Sequence, residues 1–158
     1  MTSPALERQF DLPTRRSTQQ LAQLIAPLLA ESDLVILSGP LGSGKTFFVR
    51  ALCRALGLPR AQRVTSPTFT LVQEYDTVPP LAHADLYRLT GPEQLRELGL
   101  DAQRDDGRAL LVEWGEPYVA ALGGDALLLT FGLDPRRVTV FATGRRSHAI
   151  LAELSAKS

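Results

Sequence analysis

The segment Gly39-Pro-Leu-Gly42-Ser43-Gly44-Lys45-Thr46 matches the phosphate-cradling loop G-x-x-x-x-G-K-[ST] at each fixed position. With glycine at about 7% of residues, such a match arises by chance in on the order of one chain in a few hundred. The flanks narrow it further. Leu34-Val-Ile-Leu37 is a short apolar run suited to a buried parallel strand, and Phe47, Phe48, Ala51, Leu52, Ala55 and Leu56 recur at helical spacing before Gly57 and Pro59. Strand, glycine loop and helix is the order that phosphate binding needs. The glycines let the main chain wrap the anion, and backbone N–H groups at the positive end of the helix face it. The pattern predicts an α/β chain that binds a nucleoside triphosphate with magnesium, Lys45 reaching the β- and γ-phosphates and the Thr46 hydroxyl the metal.

The cations agree with this. Lysine occurs only at Lys45 and at Lys157, one residue from the end, while arginine fills every other basic position. The one interior lysine lies where a compact ammonium on a flexible stem suits phosphate better than a rigid guanidinium fork.

A chain of 158 residues is long enough for one α/β domain with a core and short for two, so a single domain over 1–158 is expected. Its 17 positive and 17 negative side chains balance, which argues against a nonspecific nucleic-acid scaffold. No apolar stretch approaches the roughly 20 residues of a membrane span, and the N-terminus has no signal-like core, so a cytoplasmic location is expected. Cys53 cannot form an internal disulfide and reads as a core residue.

Ser17, with Gln20 as capping partner, predicts the start of a helix carrying Leu21, Leu24, Ile25, Leu28 and Leu29 on one face, with Pro27 as a kink. Residues 65–75 begin as a loop and turn strand-like, 76–80 form a turn, and Leu81–Tyr87 returns as a strand. A helix runs from Pro92 to Gly99, a strand from Ala109 to Glu113, and an antiparallel pair joins Leu127–Phe131 to Val138–Phe141. The last helix covers Ser147 to Leu154.

A triphosphate site also needs carboxylates for the metal and groups that position the attacking water. Glu113 ends the apolar run Leu110-Leu-Val112, which places it at the carboxyl edge of the sheet beside the loop. As glutamate rather than aspartate it can hold magnesium directly, hold it through water, or activate the nucleophile. Asp85, in His83-Ala-Asp-Leu-Tyr-Arg88, is a carboxylate on a half-buried strand that needs either a partner such as Arg88 or a function. His83 shares its strand face and reads as packed or hydrogen-bonded rather than as a ligand. Thr65, Ser66 and Thr68 offer hydroxyls where triphosphatases keep a γ-phosphate switch, or simply a turn around Pro67. Trp114 is the sole tryptophan and directly follows Glu113.

Together the phosphate loop, Ser66-Pro-Thr-Phe-Thr-Leu71, His83-Ala-Asp-Leu-Tyr-Arg-Leu89, Glu97-Leu-Gly-Leu100 and Leu111-Val-Glu-Trp114 resemble, in order and spacing, the TsaE family. That is the small bacterial ATPase of tRNA threonylcarbamoyladenosine biosynthesis. The resemblance covers nearly the whole chain. It implies a three-layer α/β P-loop NTPase fold with a central mixed sheet and an antiparallel strand insertion. It also implies binding of ATP or ADP with Mg2+, weak ATPase activity alone, and work with TsaB and TsaD, which attach threonylcarbamoyl to the adenosine 3′ of the anticodon. Transferred residue by residue, it implies that the nucleotide meets Gly39, Leu41, Gly42, Ser43, Gly44, Lys45, Thr46 and Phe47, with Thr18 and Arg145 beside it. Thr46, Asp85 and Glu113 lie at the metal, and Asp85, Glu113 and Thr68 serve hydrolysis, Thr68 as part of the switch-like loop.

The same loop also opens small-molecule and nucleoside kinases, which need an arginine-bearing lid. Arg136, Arg137, Arg145 and Arg146 imitate one, but they surround a C-terminal hairpin that is poorly placed to close over phosphates. A guanine-reading GTPase would use asparagine, and the chain has none. A nucleotide-dependent binding module with incidental hydrolysis is the non-enzymatic reading. The pairs Arg15-Arg16, Arg136-Arg137 and Arg145-Arg146 can meet RNA phosphate or acidic protein, or can simply be solvated.

Overall fold

The apolar run before the glycine loop becomes the centre of the molecule. In the computed structural model, which describes residues 7–65, 67 and 70–158, β2 (Leu34–Ser38) is flanked on both sides by parallel strands. Buried on both faces, such a strand reads as continuous hydrophobics rather than as an alternation. Its neighbours are β5 (Ala109–Glu113) and β6 (Leu127–Gly132). Beyond β5 come β4 (Leu81–Asp85), parallel to it, and the edge strand β3 (Val72–Tyr75), antiparallel to β4. On the other side β7 (Arg137–Ala142) pairs antiparallel with β6, and β1 (Glu7–Asp11) antiparallel with β7. Among the described residues the sheet order is β1-β7-β6-β2-β5-β4-β3. This is the mixed α/β sheet expected, with β3 as the antiparallel insertion.

Successive side chains of a strand point to opposite faces, and the sheet builds two cores from that alternation. Val35, Leu37, Leu111, Leu127 and Leu129 pack against Leu21 and Ile25, Phe48 and Leu52, and Ile150 and Leu154. These come from α1 (Arg15–Ile25), α2 (Lys45–Ala55) and α5 (Arg145–Lys157). Leu34, Ile36, Ala82, Ala84, Leu110 and Val112 face the other way, toward Leu95 and Leu100. Those two belong to α3 (Pro92–Glu97) and α4 (Leu100–Asp105).

Helix α1 begins two residues before the expected cap. Thr14 is the N-cap, its Oγ1 accepting from the Ser17 N–H at 3.1 Å while Ser17 Oγ accepts from the Thr14 N–H at 3.0 Å. Ser17 is thus the N3 partner of a capping box rather than the cap. Pro27 does not kink this helix: α1 stops at Ile25 and Ala26–Leu28 form a 3-10 turn. The helix from Pro92 stops before Gly99 as expected, but Gly99, at a φ of +70°, then opens an unexpected second helix, α4. Helix α2 ends in a Schellman cap, Leu58 N–H reaching Cys53 O at 3.0 Å and Gly57 N–H reaching Arg54 O at 3.1 Å. Among the described residues no helix is long and apolar enough to cross a membrane.

Candidate nucleotide site

Because β2, β4 and β5 run parallel, their carboxyl ends share one edge. Leu37 is level with Glu113, and Glu113 with Asp85. The glycine loop leaves β2 at that edge and returns as α2. Gly39, Gly42 and Gly44 have φ of +133°, +78° and +104°, a region that side chains rarely enter. At Gly39 there is a second constraint: a Cβ there would lie 2.5 Å from the Phe131 carbonyl oxygen of β6.

A cavity of about 260 Å³ opens over this edge, lined by Leu41, Gly42, Gly44, Lys45, Thr46, Phe47, Asp85, Glu113 and Trp114. The sheet therefore brings the loop lysine, the loop threonine and both acidic residues into one space. Lys45 is only 5% exposed. Its ammonium donates to the Gly39 carbonyl and stands 3.8 Å from the centre of the Trp114 ring. Burial lowers the pKa of Lys45, and the nearby carboxylates Glu113, Glu116 and Asp85 oppose that shift. Trp114 has φ of +59°, an uncommon conformation for a bulky residue. Its N–H is anchored on the Leu37 carbonyl at 3.1 Å and its ring meets Tyr87 at 5.0 Å between centroids. Trp114 thus lines the site while also packing, half-buried, against the second core. Asp85 accepts from the Tyr87 N–H at 2.9 Å. His83, fully buried, places Nε2 2.8 Å from Glu113 Oε2, the hydrogen-bonded role expected of it.

A second cleft of about 100 Å³ adjoins the loop on its other flank, lined by Leu12, Arg15, Thr18, Ser43, Gly44, Phe47, Phe131, Arg136 and Arg137. Thr18 of α1 is therefore beside the loop. Arg145 is not. Ala142, at the end of β7, pairs with Leu127 at the start of β6, so Arg145 emerges at the opposite edge of the sheet, a six-residue strand away, about 20 Å. The arginines at the loop are instead Arg15, Arg136 and Arg137, and the expectation that the C-terminal hairpin lies away from the phosphates is corrected for its turn. That turn follows β6, which is parallel to β2, so it reaches the same edge as the loop; the antiparallel pair is visible in the sequence, but its parallel neighbour is not. Thr68, with Ser66 and Phe69, lies outside the described residues.

The donor set suits magnesium, which keeps several waters and takes one or two carboxylates plus phosphate oxygens rather than a dedicated protein cage. Two carboxylates and one hydroxyl line the cavity, and the described residues contain no group of three or more His, Cys, Asp or Glu able to hold a metal by themselves.

The family model for the threonylcarbamoyl adenosine biosynthesis protein TsaE matches residues 12–138. The chain is 40% identical over 139 residues to the tRNA threonylcarbamoyladenosine biosynthesis protein TsaE of Streptomyces coelicolor, covering 81% of this chain and 92% of that one. It is 37% identical over 142 residues to the protein of the same name from Bacillus subtilis, covering 87% of each. The crystal structure of Bacillus subtilis YdiB superposes with a TM-score of 0.80 at 29% identity over 99% of both chains. On its sequence, its fold and the order of its motifs, the chain belongs to the TsaE family of threonylcarbamoyl adenosine biosynthesis proteins.

Proposed function

We propose that this protein binds ATP with magnesium at the loop 39–46 and hydrolyses it, slowly alone and faster with TsaB and TsaD. In this reading the hydrolysis supports formation of the threonylcarbamoyl group on the adenosine 3′ of the anticodon in tRNA, and the transfer itself belongs to the partners. The observation that carries the reading is the convergence of Lys45, Thr46, Asp85 and Glu113 on one cavity at the carboxyl edge of the sheet, in a chain of this family.

The loop N–H groups and the start of α2 hold the phosphates. Lys45 exchanges the Gly39 carbonyl and the Trp114 face for phosphate oxygens, bringing a charge that burial has already stripped of much of its water. Thr46, Asp85 and Glu113 would hold the magnesium, whose chemistry is to neutralise charge that develops on the transferred phosphoryl group. Glu113 and Asp85 also offer acceptors that orient the attacking water. The cleft formed by Arg15, Thr18 and Phe47 receives the nucleoside end. Nucleotide titration and phosphate release on two variants test the assignment: Lys45→Ala loses binding, whereas Glu113→Ala keeps most binding and loses hydrolysis. Full activity in either would overturn it.

A further inference from the structure

The structure assigns His83 as the positioning residue that aims the Glu113 carboxylate into the phosphate cavity, an inference that rests on the nucleotide reading above. His83 sits mid-strand in β4, on the same face as Asp85 and one pleat before it. Asp85 is level with Glu113 and His83 with Leu111 on β5, so the imidazole approaches Glu113 diagonally from below, from the core side. It is 0% exposed, Glu113 is 4% exposed, and Nε2 to Oε2 is 2.8 Å. For that nitrogen to donate to a carboxylate it must carry the ring proton, which fixes the tautomer. The other nitrogen, Nδ1, is buried without a hydrogen-bond partner.

Packing alone does not account for this residue. A buried ring nitrogen without a partner costs free energy, and a phenyl ring would fill similar volume without that cost. The neighbouring buried positions of β4 and β5 are apolar, Leu81, Ala82 and Ala84 facing Ala109–Val112. The polar ring stands where it meets Glu113, one of the two carboxylates that line the cavity. By engaging Oε2 it sets the rotation of the carboxylate about its terminal bond, and hence the direction in which Oε1 points. Carboxylates that serve metals are commonly held in this way by a hydrogen-bonded neighbour, whose loss weakens metal affinity or activity about 10- to 100-fold.

The test compares the full chain with His83→Gln, His83→Asn and His83→Phe. The Gln amide nitrogen extends from the backbone about as far as Nε2, whereas that of Asn corresponds to Nδ1 and falls short of Glu113. Mn2+, as a paramagnetic stand-in for Mg2+, is titrated into the protein–ADP complex and followed by electron paramagnetic resonance. ADP affinity in chelator and kcat for phosphate release are measured alongside. We expect Mn2+ affinity or kcat to fall about 10- to 100-fold in the Asn and Phe variants, ADP affinity without metal to hold, and Gln to recover most of the loss. Should the Phe variant fail to fold, the Gln and Asn pair carries the comparison. Wild-type Mn2+ affinity and kcat in the Asn variant, or Gln no better than Asn, would overturn the positioning role while leaving nucleotide binding intact. A wild-type chain that binds no nucleotide would overturn both.

Discussion

Lys45→Met keeps most of the lysine stem and removes its charge, so it separates the role of Lys45 in the fold from its role toward phosphate. Without nucleotide, the change loses a cation–π contact of about 0.5–2 kcal/mol and a hydrogen bond to Gly39, but it also ends the burial of an ammonium whose pKa burial lowers. These effects oppose each other, and the net change in stability is expected to stay near about 1 kcal/mol. With nucleotide the balance differs. ADP at about 100 times its Kd stabilises the wild type by about 2.7 kcal/mol, which for 158 residues raises Tm by about 5–11 °C. Losing two charge-assisted hydrogen bonds of about 1.5–3 kcal/mol each weakens binding at least about 100-fold. At the same ADP concentration the shift then shrinks to about 1–2 °C or less. Thermal unfolding with and without ADP and Mg2+ reads this directly. Trp114, the only tryptophan, adds a second signal: its emission changes on binding in the wild type as the ammonium leaves its ring, and stays constant in Lys45→Met. A full ADP-induced rise in Tm in Lys45→Met would refute the assignment of Lys45 to phosphate.

Gly39→Ala places a Cβ 2.5 Å from the Phe131 carbonyl at a φ of +133°, so the loop must shift; a stability loss of about 1–3 kcal/mol and weakened ADP binding are expected from unfolding and titration, and wild-type values in both would contradict the geometry. Asp125→Ala removes the carboxylate that accepts from the Arg146 and Ser147 N–H groups at 2.8 and 2.9 Å at the start of α5, for an expected cost of about 1–2 kcal/mol. Burial pushes the Asp125 pKa up, but the Ser147 and Arg146 hydrogen bonds outweigh it and leave the pKa lowered. The Asp125 contribution is therefore present above the ordinary carboxylate pKa and lost as pH falls through the lowered one, so the gap between wild type and variant should close in acid. Burial also raises the Cys53 thiol to about 12, so a thiol reagent at pH 8 should label the protein only after denaturation; rapid labelling of the native chain would contradict its place in the core.

Elements with strong local grammar were legible in the chain itself. The loop shows itself by its glycines and Lys45-Thr46, β2, α2 and the β6–β7 pair by apolar runs bounded by glycine or proline, the β3–β4 return by the turn at Pro79-Pro80, and Glu113 stands at the end of an unbroken apolar run. Strand β1 was not legible: Glu-Arg-Gln-Phe-Asp has one apolar residue and is a strand because β7 offers an unpaired edge. Helix α4 was hidden because Gly99 reads as a stop, whereas the chain turns there and starts again. The site divided along the same line. Lys45, Thr46, Asp85 and Glu113 sit at strand or loop ends whose edge follows from parallel pairing. Arg136 and Arg137 reach the loop only through the placement of β6 next to β2, and Arg145 leaves it for the same reason. Which strand neighbours which is a tertiary fact that hydrophobic periodicity does not encode.

Phosphate release from ATP by the purified protein, alone and with TsaB and TsaD, and with GTP and a panel of small acceptors as controls, tests the central claim most directly. The account predicts slow release alone, a clear rise when both partners are present, and no dependence on any acceptor. ATP consumed only with a particular acceptor and unaffected by the partners would contradict it and make this protein a kinase.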